Sequence, residues 1–149
     1  MSTAPEDLVA DAVAAAIVSA SLTLPASPSN LAFPVERRNY PHVDDFREID
    51  IIALVYTGEV KTERASRRDV QTDVSVSTMV GINAGRSDLV TQTNVKELGY
   101  EIEKVMRGAG GFSGFVWVTV ERIPFVPDWF EKGLFASIIT AGYRQLGEI

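Results

Sequence analysis

Residues 49–82 read IDIIALVYTGEVKTERASRRDVQTDVSVSTMVGI, two strand-like runs separated by a stretch of charge. In the first run, Ile49 to Thr57, the residues Ile49, Ile51, Ala53 and Val55 fall on one face and Ile52, Leu54 and Tyr56 on the other. Both faces are apolar and look buried, which predicts a central strand. In the second run, Asp69 to Ile82, Val70, Thr72, Val74, Val76, Thr78 and Val80 alternate with Gln71, Asp73, Ser75, Ser77 and Met79. That is one dry face and one wet face. The spacer Gly58 to Arg68 has no apolar stripe from which a parallel crossover helix could be built. A long antiparallel hairpin with a polar tip at about 58–68 is therefore expected, and the remaining segments must cover its hydrophobic face.

Working outward, Thr3-Ala4-Pro5-Glu6 has capping-box spacing and opens a helix, with Glu6 and Asp7 at the positive end of its dipole. Leu8, Ala12, Ala15 or Ala16, and Ser19 mark one stripe of that helix, with Val9, Val13, Ile17 and Ala20 beside it. Pro25 and Pro28 end it. Leu31, Phe33 and Val35 form a short strand that Pro34 places at a sheet edge or at the strand's start. After the hairpin, Ser87-Asp88 predicts the start of a second helix, with a stripe of Val95, Leu98, Ile102, Val105 and Met106 continued back towards Leu89. Gly108 ends it. Phe115 to Val120 carries large residues on both faces, which predicts a central or well-covered strand, and Leu134 to Tyr143 forms the last strand. The expected fold class is α+β: one domain over residues 1–149, in the order αβββαββ, with a mostly antiparallel sheet and two helices packed on one face.

Composition narrows the function. The chain has 149 residues, no cysteine and a formal charge of −6. Disulfides and thiolate metal sites are thereby excluded, and the acidity disfavours a general nucleic-acid binder, whose phosphate affinity needs clustered Lys and Arg. The apolar stretch Leu8 to Leu24 is broken by Asp11, Ser19 and Ser21 and follows acids instead of a basic region. It fits neither a secretory signal nor a membrane span, so a cytosolic, membrane-free protein is expected.

The sequence offers few residues arranged for chemistry. His42, the single histidine, stands near Asp44 and Asp45 in a loop without ligand spacing, and no metal site is expected there. Residues 108–114, GAGGFSG, lack the Lys-Ser/Thr ending of a phosphate loop and follow a helix where such a loop would precede one. Ser113 is not in a G-x-S-x-G elbow, and Glu97, Glu101 and Glu103 lie on the outward side of the second helix. No catalytic residue and no cofactor are expected. Two features invite an interaction reading. Lys61, Arg64, Arg67 and Arg68 concentrate in the hairpin tip, as a solubilised loop or as an arm that docks on an acidic surface. Phe125, Trp129 and Phe130 surround Pro127 and Asp128, as folded-back core or as interface anchors.

The arrangement resembles the tail terminator, or tail-completion, proteins of long-tailed bacteriophages. The residues that carry the resemblance are the capped N-terminal helix, EIDIIALVYT (48–57) leading into the long hairpin, the helix opening at SDL (87–89), VWVTVERIPFVPD (116–128) and the closing GLFASIITAGYR (133–144). The resemblance implies a small α+β virion subunit, assembled in the host cytoplasm. Such subunits form a homo-oligomeric ring, expected to be a hexamer, on the last ring of the tail tube. The ring stops tube growth, presents a surface to the head-completion or neck protein, and passes DNA through its lumen without specific binding. A head-completion or neck connector of the same junction is the nearest alternative. A small ligand-binding domain or enzyme, with a polar pocket between helix and sheet, is the alternative of another class.

Overall fold

The structure, a computed structural model, describes residues 4–20, 22, 34–41, 51–83, 89–108 and 111–148. Apolar alternation builds its centre. β2 (Ile52–Arg64) and β3 (Asp69–Asn83) form the expected hairpin, paired antiparallel from Ile52 opposite Gly81 to Arg64 opposite Val70. β2 does not end near Thr57, and Gly58 to Arg64 is strand instead of loop. A β-bulge explains the difference: Thr57 pairs with Val76 and Val60 with Val74, so two residues, Gly58 and Glu59, oppose Ser75 alone. The extra residue resets the period of two and hides the continuing strand from a reading of alternation.

The turn is short and locally secured. The Ala65 amide donates to the Asp69 carbonyl at 2.9 Å. The Ser66 hydroxyl accepts from the amides of Arg68 and Asp69 at 3.3 and 3.1 Å and donates to the Asp69 carboxylate at 2.9 Å.

Five strands make up the sheet, in the order β1-β2-β3-β5-β4. β1 (Val35–Arg37) is an edge strand directly after Pro34, whose carbonyl accepts from the Ala53 amide at 3.0 Å. Leu31 and Phe33, the first expected residues of this strand, lie outside the described residues. β1 pairs parallel with β2, and the other three pairings are antiparallel, so the sheet is mixed. β5 (Leu134–Glu148) extends five residues beyond the expected Tyr143 and pairs with β3 from Asn83–Leu134 to Asp69–Glu148. β4 (Val116–Ile123) is an edge strand and not a central one. Trp117, Val120 and Arg122 share the face of Tyr143, Ala141 and Ile139, but the opposite side carries Val116 and Ile123, both strongly exposed. Apolar residues on both sides of this strand reflect one packed face and one bare one. β4 also bulges, between Trp117 and Thr119, where Thr119 meets Gly142. Because Gly142 in turn pairs with Ser75, both bulges fall on one cross-strand row.

α1 (Pro5–Ser19) and α2 (Leu89–Met106) both pack in the main core, on the face of Ala53, Val55, Val74, Val76, Val80, Ile82, Ile139, Ala141 and Tyr143. α1 has Ala4 at its N-cap, with no side-chain capping bond, and Pro5 in its first turn. Thr3 lies outside the described residues. α1 buries Val9, Ala10, Val13 and Ile17 and leaves Leu8 43% exposed, so the stripe sits one residue on from the expected one. Three branched side chains at i, i+4 and i+8 bury more apolar area than one Leu with alanines. Arg37 of β1 anchors α1 by ion pairs to Asp7 at 2.9 Å and Asp11 at 3.0 Å. In α2 the expected Val95, Leu98, Ile102 and Met106 are buried, while Leu89 is 79% exposed. The expected cap at Ser87 and Asp88 lies outside the described residues. Gly99 lets α2 approach β5 closely: a Cβ there would stand 3.4 Å from the Ser137 Cβ. The Tyr143 hydroxyl donates to the Met106 carbonyl at 2.6 Å, satisfying an orphan acceptor at the helix end, and Phe112 meets the Tyr143 ring edge-on at 5.4 Å.

A short third helix, α3 (Pro127–Glu131), replaces the expected loop. With it the order is αβββαβαβ. A second, smaller core of Ile52, Leu54, Met79, Leu134 and Ala136 lies on the other sheet face, with Tyr56, Trp129 and Ile138 against it.

Candidate interaction surface

Past the bulge row Val74 and Tyr143 still belong to the main core, and Trp117 and Val116 of β4 still pair with Tyr143 and Arg144. Beyond them β2, β3 and β5 continue without helices, to Arg64, Asp69 and Glu148, as a three-stranded blade, so the expected arm is broader than a bare hairpin. Every residue from Gly58 to Arg68 is exposed. Register sorts its charges. Lys61, Asp73 and Arg144 form one row across the three strands. Arg144 binds Asp73 at 2.8 Å, and Lys61 binds its own-strand neighbour Glu63 at 2.6 Å. The hydrogen bond from Arg144 holds the Asp73 carboxyl below the usual carboxylate range, while Glu63 raises the Lys61 ammonium. Arg64 pairs across from Val70 on the opposite face, and Arg67 and Arg68 occupy the turn. Of the four expected arm cations, Arg64, Arg67 and Arg68 thus gather at one end, and Lys61 stands three residues back in a charge row.

The aromatic trio does not act as one group. Phe125 and Phe130, 40% and 46% exposed, meet edge to face with centroids 5.6 Å apart, and Phe125 meets Phe135 at 5.5 Å. Together with Leu89 and Lys96 they line a groove of about 380 Å³ between α2 and α3. Trp129 instead covers the smaller core, with the Lys132 ammonium 4.9 Å from its ring centre. One member of the trio is core cover and two are surface.

His42, Asp44 and Asp45 lie outside the described residues, as do Ala109 and Gly110 of the glycine-rich segment. Among the described residues no group of three His, Asp or Glu could hold a metal ion, and no helix is long and apolar enough to cross a membrane. Ser113, considered as a nucleophile, donates to the Leu8 carbonyl at 3.3 Å. Between α2 and the sheet, where a ligand pocket was the alternative expectation, Val95, Leu98, Ile102 and Met106 pack directly on Val80, Ile139 and Tyr143. No protein-family model matches the chain, and no curated protein matches it.

Reading alternation missed the sheet's two open edges. β1 covers β2 only at Ala53–Val55, and among the described residues nothing pairs with β2 beyond that or with the outer side of β4. The signal for the second was present in VWVTVERI, where Glu121 and Arg122 follow the aromatic and β-branched run.

Proposed function

We propose that the chain is a structural, non-catalytic virion subunit of the tail-terminator kind. It closes into a ring, expected to be hexameric, on the end of a phage tail tube, stops tube growth, offers a surface to the head-completion or neck protein, and surrounds a lumen through which DNA passes. The observation that carries this reading is the three-stranded blade with Arg64, Arg67 and Arg68 at its end, projecting from an otherwise acidic body. Residues 58–68 hold four basic and two acidic side chains, against ten and eighteen in the remainder of the chain, a charge of +2 against −8. Such a distribution favours docking of the blade of one subunit on a different part of the next. Repetition of that head-to-tail contact gives a ring where its rotation closes.

The test is mass photometry with and without tail tubes. Closed oligomers or tube-end binding are expected; a strict monomer that ignores tubes would remove the reading. Reversing Arg64, Arg67 and Arg68 to Glu is expected to leave the melting transition in place, since exposed charges contribute little to stability. The same triple variant is expected to weaken assembly at least ~10-fold, the equivalent of about 1.4 kcal/mol. Immunogold labelling of virions separates a terminator from a neck connector by position.

A further inference from the structure

The two edges of the sheet left open among the described residues are complementary in direction, length and charge. In the order β1-β2-β3-β5-β4, β2 and β4 run in opposite directions, because β2–β3, β3–β5 and β5–β4 are all antiparallel. A second copy placed beside β4 in the same orientation brings its own β2 alongside as an antiparallel neighbour. Bulges interrupt each edge once, and beyond them both offer a regular five-residue stretch, Val60–Arg64 and Thr119–Ile123. β1 blocks Ala53–Val55 but not Val60–Arg64.

Side-chain facing and charge choose the register. Lys61 and Glu63 lie on the face of Asp73 and Gln71, away from the helices; Thr119, Glu121 and Ile123 lie on that same face beside Gly142, Thr140 and Ile138. A continuous sheet must join like face to like face, which leaves registers two residues apart. Lys61 opposite Glu121 sets unlike charges across the strands, with Val60 opposite Arg122 and Thr62 opposite Val120. Sliding two residues sets Glu63 against Glu121, and sliding two more sets Arg64 against Arg122. Like charges directly opposite are destabilising.

We infer that neighbouring copies of this chain join edge to edge, β2 of one pairing antiparallel with β4 of the next, with Lys61 opposite Glu121. Resting on the ring reading above, the pairing adds the contact that makes the ring. It also sets the stagger. Glu121 is level with Ser77 through Thr140, and Lys61 is level with Asp73, so each copy steps four residues along its neighbour. Each copy contributes four strands to the joined sheet. One residue of stagger per strand is the ratio of an eight-stranded barrel of shear 8, whose strands tilt by about 36°. A ring closed by this pairing is therefore a barrel of tilted strands. Two β2 edges pair less readily with each other, since residues 58–68 carry a charge of +2 in each copy.

A chain without cysteine allows a direct test. The double variant K61C/E121C, oxidised, should give a ladder of covalent oligomers on a denaturing gel, while K61C and E121C alone remain monomeric and E63C/E121C cross-links weakly. Charge exchange gives a second readout: K61E and E121K should each weaken assembly up to about five-fold per contact, and K61E/E121K should restore it. Dimers from a single-cysteine variant would replace this pairing with a two-fold one. Rings in mass photometry without a ladder and without charge rescue would overturn the pairing and leave the ring reading standing. A ladder of open chains that never closes would keep the pairing and remove the ring.

Discussion

The same strands form two unlike halves on either side of the bulge row. In the helix-covered half Val76, Val80, Ile139 and Ala141 are fully buried between or beside the helices, whereas in the blade the continuation of β2 buries nothing. The β3–β5 ladder runs unbroken across the boundary, so along these two strands the difference lies in side chains. Backbone pairing holds the blade in shape, and the covered half supplies the apolar burial that stabilises the chain. Residues on the blade are thereby released from packing and left to interaction.

That contrast breaks most plainly from the covered side. Leu98→Ala, at a fully buried position of α2, is expected to cost about 2–5 kcal/mol in urea unfolding. An effect as large from any substitution at 61–68 would dissolve the division. Tyr143→Phe, at the border of the two halves, removes the hydrogen bond to the Met106 carbonyl and should cost about 1–2 kcal/mol. Tyr143 also adds an alkaline signature. Burial raises its phenol well above the ordinary value, so the unfolded chain loses this proton first, and stability falls as pH rises past about 10. Melting curves across that range should flatten in Y143F, with Tyr56, also raised by burial, retaining part of the slope.

Gly58→Ala tests the boundary itself. A Cβ there would stand 2.5 Å from the Ser75 hydroxyl, so a loss of about 1 kcal/mol is expected, and it should shrink in an S75A background, where the Ser75 backbone oxygen at 3.3 Å remains. The smallest effect belongs to Asp73→Asn. Arg144 holds the Asp73 carboxyl low, so its contribution is present above the ordinary carboxylate range and is lost as pH falls through the lowered folded value. D73N should remove a slight part of the acid limb of stability, and about 1 M salt should mask the difference because both groups are solvent-exposed and screened.

Much of the covered half was legible in residue order. Val95, Leu98, Ile102 and Met106 announced the face of α2, and the alternation from Val74 to Val80 fixed the inward side of β3. The blade was not legible as strand, because Gly58 and Glu59 shift the phase and the charges beyond them have no core to face. β4 was misplaced for a different reason: alternation identifies two sides of a strand but not its neighbours, and Val116 and Val118, expected on a covered strand, are exposed on an edge strand. In α1 the competition between Leu8 and the Val9, Val13, Ile17 series turned on which side meets the sheet. Phe125, Trp129 and Phe130 are alike in sequence, and α3 turns Trp129 to one core and Phe130 to the surface groove beside Phe125.

β3 is flanked by a partner on each side for nearly its whole length, from Asn83 down to Asp69. A pull on the turn at Ser66–Arg68 along the strand axis therefore meets resistance from both ladders at once. Yielding requires sliding a long strand past two neighbours, breaking many hydrogen bonds together, whereas a hairpin hinged from one side could peel open one bond at a time. Mechanical load applied at the tip reaches the covered half without first unfolding what carries it.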